Sequence, residues 1–309
     1  MTSVDLQVPP SATEGIVTIG NFDGVHRGHQ AMLGMVTDVA NRQSRKAVVV
    51  TFEPHPVNVL KPEVCLPRLT TTESRVRLLK RYGADEVVVL PVSRALLDMS
   101  PEQFFSDIVL QQLSAVGLVE GPDFHFGKDR AGDTELLRSL CDAAGLTLTV
   151  IPAVCDSSKM ISSTEIRRLL NEGCVSAANQ QLGHFYALGG VVARGAGRGR
   201  TLGFPTANLG NVEVLIPADG VYVGSATIDG KRYPAAISIG PNPTFGDQAR
   251  KVECHFVDFN GELYDEILAV ELFERIRGLE TFSSSDALIH QIHADVATCV
   301  EVFHACVES

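Results

Sequence analysis

From Ile16 to about residue 185 the chain alternates short β-branched runs with stretches of helical periodicity, and this rhythm narrows the fold more than any other feature. The runs are Ile16 to Ile19, Ala47 to Phe52, Glu86 to Leu90, Val116 to Val119 and Leu146 to Ile151. Each is short, nearly continuous in apolar character, and followed by a polar loop and a helical pattern. Strands buried on both faces and separated by helices build a parallel sheet. Helix starts are predicted at Thr70 with Glu73, at Ser100 with Gln103 behind Pro101, and at Ser162 with Glu165, each with capping-box spacing. Gly83, Gly145 and Gly173 fall where left-handed helix stops are expected. Right-handed crossovers put ligands beyond the carboxyl ends of such strands, so chemistry is expected in the loops after Ile19, Phe52 and Val119.

From Tyr186 onward the rhythm changes. Val191 to Ala193, Gly220 to Thr227, Tyr233 to Ile239, Val252 to Phe259 and Ile267 to Leu272 are extended and mostly alternating, separated by Gly, Pro and Asn turns with no helix between them. An antiparallel barrel or sandwich is the expected second domain. It should close with a long helix from about Asp286, whose Leu288, Ile292, Val296, Val300, Phe303 and Val307 form an apolar stripe for core packing. The expected organisation is an α/β domain over 1–185 and a β-barrel domain over 186–309, joined by a short linker around Gly183 to Gly190.

Composition excludes several classes of function. At 45% apolar and 20% charged residues the chain is an ordinary globular one. A net charge of −11 repels polyanions, so nucleic acid is not an expected partner, and a phosphate site must be built locally. Seven cysteines, odd in number and without a C-x-x-C pair, argue against a disulfide framework and a structural zinc site; they read as buried thiols of a cytoplasmic protein. Met1 to Gly15 lacks the marks of a leader, and no stretch approaches ~18 apolar residues, so no membrane is expected. Small molecules, with at most a weak homo-oligomer, are the expected partners.

The run Gly20-Asn21-Phe22-Asp23-Gly24-Val25-His26-Arg27-Gly28-His29 follows the first strand and opens the first helix, where helix-terminal N–H groups meet phosphate. His26 and His29, with Gly28 between them, can both donate to phosphate oxygens, and Gly20 and Gly24 let the backbone wrap a triphosphate. A metal site at the two histidines lacks an evident third ligand. Near the other end, the segment Gly189 to Gly210 holds Arg194, Arg198 and Arg200 and no acid, a local positive patch in an acidic chain. It runs into Gly203-Phe204-Pro205-Thr206-Ala207-Asn208, where Thr206 and Asn208 project from one side of an extended segment as hard oxygen ligands suited to Mg²⁺. Glu253 and Glu271 each lie on an alternating strand, and spacing does not choose between them as a base. There is no Walker A sequence, so any kinase chemistry needs another phosphate cradle.

Gly-x-Phe-Asp-x-x-His-x-Gly-His resembles the signature of the nucleotidyltransferase superfamily. The longer set narrows the likeness: Thr51-Phe52-Glu53-Pro54-His55-Pro56, Gly121-Pro122-Asp123-Phe124-His125-Phe126-Gly127 and Ile161-Ser162-Ser163-Thr164-Glu165-Ile166-Arg167. Gly203 to Asn208, Asp219 to Tyr222, Gly240 to Gly246, Val252 to His255 and Leu263-Tyr264 continue it in order. Together they resemble bacterial bifunctional riboflavin kinase/FAD synthetases. The resemblance implies a Rossmann-like nucleotidyltransferase domain before a riboflavin kinase barrel, with riboflavin phosphorylated to FMN and FMN adenylylated to FAD with loss of pyrophosphate. It implies ATP contacts at Gly20, Asn21, Phe22, Asp23, Gly24, His26, Gly28 and His29, at Ser162, Ser163, Thr164 and Arg167, and at Gly203, Thr206 and Asn208. It implies flavin contacts at Asp123, Phe124, His125 and Arg277, Mg²⁺ at Thr206 and Asn208, and Glu253 as the base for the ribityl hydroxyl. Ser162 to Arg167 also satisfy a simple capping box, and both roles can hold. His125 stands where the family usually has Arg, and Asp265 where Gly commonly follows Leu-Tyr. A kinase whose adenylyltransferase half has decayed and a flavin-binding module without turnover are the competing readings.

Overall fold

A computed structural model describes residues 8–156, 159–195, 198–242 and 247–307. The chain divides into two compact units, Met1–Ser162 and Ser163–Ser309.

The first unit is a five-stranded parallel sheet of β1 (Ile16–Ile19), β2 (Ala47–Glu53), β3 (Glu86–Pro91), β4 (Gly117–Glu120) and β5 (Thr147–Val150), in the order β3-β2-β1-β4-β5. All four β1 residues and the first five of β2 are buried, as strands covered on both faces require. Side chains such as Ile16, Val17, Val48, Val50, Leu90 and Leu118 are essentially inaccessible to water, and each contributes about 1.5–3 kcal/mol of transfer free energy. Gly117 lies between β1 and β5, and a Cβ there would stand 2.4 Å from the Thr147 hydroxyl on β5 and 3.0 Å from the Ile16 δ-methyl on β1. The chain leaves β1 toward β2 and β3 on one side and returns through β4 and β5 on the other, so the order reverses between β1 and β4. That reversal opens a crevice at their carboxyl ends.

The helix signals at Ser100 and the glycine stops at Gly83, Gly145 and Gly173 hold, and the one at Thr70 moves. Ser100 and Gln103 form a reciprocal capping box with Pro101 at the first helical position, and the helix Thr134–Ala144 stops at a left-handed Gly145. The predicted cap at Thr70 is instead Thr71, whose hydroxyl accepts from the Ser74 N–H. Thr70 is drawn away by Asp23, to which it donates from both its N–H and its hydroxyl. A short two-stranded element, β6 (Cys155–Asp156) with β7 (Lys159–Met160), follows the sheet.

The second unit is a closed antiparallel barrel, not an open sandwich. Its strands are β8 (Tyr186–Ala193), β9 (Ala207–Gly210), β10 (Gly220–Ile228), β11 (Lys231–Asn242), β12 (Asp247–Phe256) and β13 (Ile267–Arg277), in the order β10-β11-β12-β9-β8-β13. β9 is the sixth strand that closes the ring. The expectation that no helix intervenes is corrected by a single turn, Arg198–Thr201.

The sequence rhythm changes near residue 185, but the compact unit begins 22 residues earlier, at Ser163. The helices Ser163–Asn171 and Val175–Leu182 pack with the barrel. The Asn179 carboxamide shows how: it donates to the Leu272 and Phe273 carbonyls on β13 at 2.8 and 3.1 Å and accepts the Tyr186 N–H at 2.8 Å. The final helix, Ser285–Val307, packs on the barrel along a line displaced from the predicted stripe. Asp295 and Cys299 are its buried residues, with Val302, Phe303 and Cys306 packed beside Val223 and Phe273, whereas Val307 is 39% exposed. A buried Asp breaks the stripe because Arg277 meets it there. The cysteines are also not uniformly buried: Cys141, Cys254 and Cys299 are, but Cys65 and Cys174 are exposed. The Cys155 side chain lies outside the described residues.

Candidate active sites

In the first unit a pocket of about 250 Å³ opens over the β1–β4 crevice. Gly20, Phe22, His26, Gly28 and His29 form one wall; the loop Gly121 to Phe124 and residues 151–154 with Met160 and Ile161 form the other. The glycine-rich run thus lies where its position after the first strand required.

Its local conformation is unusual. Phe22, Gly24 and Val25 all have positive φ, at 49°, 83° and 41°, which a β-branched residue adopts only when its surroundings hold it there. Asp23 does the holding. Its carboxylate is 2% exposed and accepts the N–H groups of Leu69 and Thr70 and the Thr70 hydroxyl at 2.9–3.0 Å. The Asn21 carbonyl accepts from Thr51 and from the buried Arg75, which also reaches the Phe52 carbonyl and Glu53. The Thr-Phe-Glu-Pro motif therefore acts by bracing the loop. Asp23 and Asn21 are part of that brace and do not line the pocket.

His26 caps the helix Arg27–Arg42, its Nδ1 accepting the His29 N–H at 3.3 Å, so its own proton resides on Nε2. The two imidazoles stack with centroids 3.6 Å apart and planes 16° from parallel. Two stacked imidazolium rings would repel. Burial removes the conflict, pushing the His26 pKa down to about 4 and that of His29 well below 6.5, with His26 adding to the depression. At neutral pH both rings are uncharged N–H donors. The His29 Nδ1 is buried and has no partner. Gly28 leaves room for the stack, since a Cβ would stand 3.1 Å from the His26 ring and press on it.

Of the residues expected to meet flavin, Phe124 lines the pocket and stacks on Phe126 at 5.5 Å. Asp123 lines the pocket too, whereas His125 is exposed and outside the lining. Ser162 ends the first unit; Ser163, Thr164 and Arg167 open the first helix of the second, Thr164 exposed and Arg167 buried. Sequence reading missed Glu120, the last residue of β4, which is 1% exposed on the pocket floor.

In the second unit, β9 pairs with β12 so that Asn208 lies directly opposite Glu253. Cross-strand partners have Cβ atoms about 5 Å apart. Cys254 and Leu209, their neighbours in sequence, point into the barrel, so Glu253 and Asn208 share the outer face with Thr206, two residues away. The glycine-rich segment lies over them. A Cβ on Gly195 would stand 2.3 Å from the Asn208 amide nitrogen, and one on Gly199 would meet the Phe204 carbonyl at 2.3 Å and the Thr206 hydroxyl at 3.3 Å. Only glycine permits this close approach, and it leaves hard oxygens under a backbone cradle, a donor set that fits Mg²⁺ with nucleotide phosphates. Arg200 and Thr206 line a neighbouring hollow with Phe256, Phe259 and Tyr264. Gly203 has φ +90° in the turn before β9. The Arg198 side chain and Pro243 to Gly246 of the expected motifs lie outside the described residues.

Glu271 faces a different environment, paired with Ala187 and Ser225 and bound to Arg232. The Arg277 guanidinium is already engaged: it donates to both Asp295 oxygens at 2.6–3.2 Å and to the Gly278 carbonyl at 3.0 Å. This structure commits it to anchoring the last helix.

Comparison with known proteins decides the family. Residues 8–165 match the family model for FAD synthetase, and residues 182–303 match that for riboflavin kinase. Bifunctional riboflavin kinase/FMN adenylyltransferases are similar over nearly the whole length: that of Escherichia coli K12 is 34% identical over 93% of this chain and 92% of its own, and that of Pseudomonas fluorescens 36% over 91% of each. The Bacillus subtilis protein of the same name is 32% identical over 94% of this chain. The chain belongs to the bifunctional riboflavin kinase/FMN adenylyltransferase family. A crystal structure titled a macrolide-efflux protein, from Streptococcus pneumoniae, superposes with a TM-score of 0.87 at 33% identity, covering 96% of this chain and 95% of that one. Among the described residues of this family member, no helix is long and apolar enough to cross a membrane.

Proposed function

We propose that this chain makes FAD from riboflavin in two ATP-dependent steps, FMN formation on the barrel and its adenylylation at the pocket of the parallel sheet. The observation that carries the reading is the stacked, uncharged histidine pair at the start of the first helix, facing a pocket at the strand-order reversal.

At that pocket the backbone N–H groups of the helix start and the His26 Nε2–H grip triphosphate oxygens of ATP without presenting a titrating charge. The FMN phosphate attacks the α-phosphorus in line and pyrophosphate leaves, and no covalent enzyme intermediate is needed. Phe124 offers a flat apolar face to the flavin beside Asp123. Ser162, Ser163, Thr164 and Arg167 are assigned to ATP on sequence likeness.

On the barrel, Thr206 and Asn208 would hold Mg²⁺ together with the nucleotide phosphates, and the ion would supply neutralising charge for phosphoryl transfer. Glu253, opposite Asn208, accepts the proton of the ribityl hydroxyl, and this pairing favours it over the Arg232-bound Glu271. Arg200 screens phosphate charge. The exposed thiols of Cys65 and Cys174 fit a reducing, cytoplasmic setting.

Purified full-length protein given riboflavin, ATP and Mg²⁺, followed by chromatography, should yield FAD. FMN as the only product would leave a kinase with an inactive adenylyltransferase, and unchanged riboflavin would sink the reading.

A further inference from the structure

Glu120 stands where β1, β4 and β5 end together. Its Oε1 accepts the N–H of Ile19 at 2.9 Å, its own carbonyl accepts the Ile151 N–H at 2.9 Å, and Ile19 is the residue immediately before Gly20 of the glycine-rich run. The side chain therefore sits on the pocket floor at the root of the loop that faces phosphate. Its second oxygen, Oε2, is fully buried and has no hydrogen-bond partner, although the side chain lines the open pocket. Behind it lies an apolar space walled by Phe104, Phe105, Val109 and Leu137, which offers no polar partner.

Burial drives the carboxyl well above its ordinary pKa, only partly offset by the Ile19 N–H. The titratable groups that face it are His26 and His29 from the first helix, Asp123 from the loop after β4, and the Cys141 thiol from the helix behind the sheet. None is a cation at neutral pH. Among the described residues no three of the His, Cys, Asp or Glu side chains form a metal-binding group, so Glu120 and the histidines do not make a cation site. An ionised carboxylate on this floor would oppose a triphosphate, whereas a neutral carboxylic acid carries an O–H that can be donated.

We propose that Glu120 is a binding residue for the nucleotide of the adenylyltransferase step, donating its Oε2–H to an acceptor atom of ATP. This rests on the reading of the pocket as that step's ATP site. The interaction completes a floor built wholly of uncharged donors: helix N–H groups, two imidazoles and one carboxylic acid.

The test uses the full chain, supplied FMN and varied ATP, with FAD formation followed from pH 6.5 to 9. In the wild type, KM for ATP should rise once pH passes the raised pKa of this carboxyl. Glu120→Gln keeps a neutral donor, so its KM at pH 7 should stay within about twofold and the alkaline rise should vanish. Glu120→Leu removes the donor and should raise KM for ATP about three- to tenfold, with kcat within about twofold. An unchanged KM in Glu120→Leu, a loss in Glu120→Gln as large as in Glu120→Leu, or an alkaline rise surviving in Glu120→Gln would each overturn the proposal. If Glu120→Leu does not fold, the pH profile of Glu120→Gln decides alone. His29→Ala run in parallel tests the pocket itself: undiminished FAD formation there removes the premise, and Glu120's role with it.

Discussion

On the proposed function the two candidate sites take hold of the same substrate, ATP, by different means. In the parallel-sheet unit burial strips His26, His29 and Glu120 of charge, and on the proposed reading the triphosphate meets helix N–H groups and neutral donors there. On the barrel the side chains Thr206 and Asn208 carry no charge to begin with, and a glycine loop is laid over the strands; on the proposed reading the charge of the phosphates is met there by Mg²⁺ and Arg200. A helix terminus already carries partial positive charge, so further cations are unnecessary there. A closed antiparallel barrel has no comparable dipole at its surface, so positive charge there must come from side chains such as Arg200 or from a bound cation.

The sharpest way to break this contrast is Glu253→Gln. It should lower FMN formation about a thousandfold by removing a proton acceptor, while FAD formation from supplied FMN stays within about twofold. Equal loss of both, by the same chromatographic assay, would show that the sites do not act separately. His29→Ala should do the reverse, lowering FAD formation from FMN about a hundredfold with the kinase step intact. Next in size, Gly195→Ala should press on the Asn208 amide and weaken the kinase roughly tenfold, chiefly in its Mg²⁺ and ATP dependence.

A subtler test is pH. The histidines, depressed in the folded state, bind protons more readily when unfolded, so stability of this unit should fall as pH drops from 6.5 toward 4. Glu120, raised in the folded state, binds its proton more readily when folded, so stability should also fall as pH climbs from 4.5 through its folded pKa. Two histidines outweigh one acid below 6.5, and the acid alone acts above it. Hydrogen exchange should therefore show the sheet unit most protected near pH 6.5, and Glu120→Gln should flatten the alkaline side and steepen the acid side between 4.5 and 6.5. The smallest expected effect is Ser100→Ala, about 1 kcal/mol lost from one capping box, read as a lower unfolding midpoint for the sheet unit.

What could be read from the sequence was what neighbours in the chain decide. The strands of the sheet, the Ser100 cap and the placement of His26 and His29 at a helix start follow from local pattern, and all reappear. What could not be read depends on partners far away. Asp23 looked like a phosphate contact because its motif says so, but its carboxylate is occupied by Leu69 and Thr70, 46 and 47 residues on, which also displaces the helix cap to Thr71. Glu120 falls one residue past the expected strand Val116 to Val119, and nothing in the sequence singles it out. Its position beside Ile19, 101 residues earlier, arises only when β1 and β4 lie together. Arg277 and Asp295 interrupt the stripe on the last helix for the same reason. The juxtaposition of Glu253 with Asn208 depends on the register of β9 against β12, which a four-residue strand among glycines does not announce.

The carboxamide of Asn179 bears on how the protein can be taken apart. Any excision that begins at Tyr186, where the rhythm turns, discards the group that ties the rim of β13 to the first barrel residue, leaving two carbonyls and one amide to find water instead. A fragment cut just ahead of Ser163 keeps its own clasp, and is the piece to express when the kinase is wanted alone.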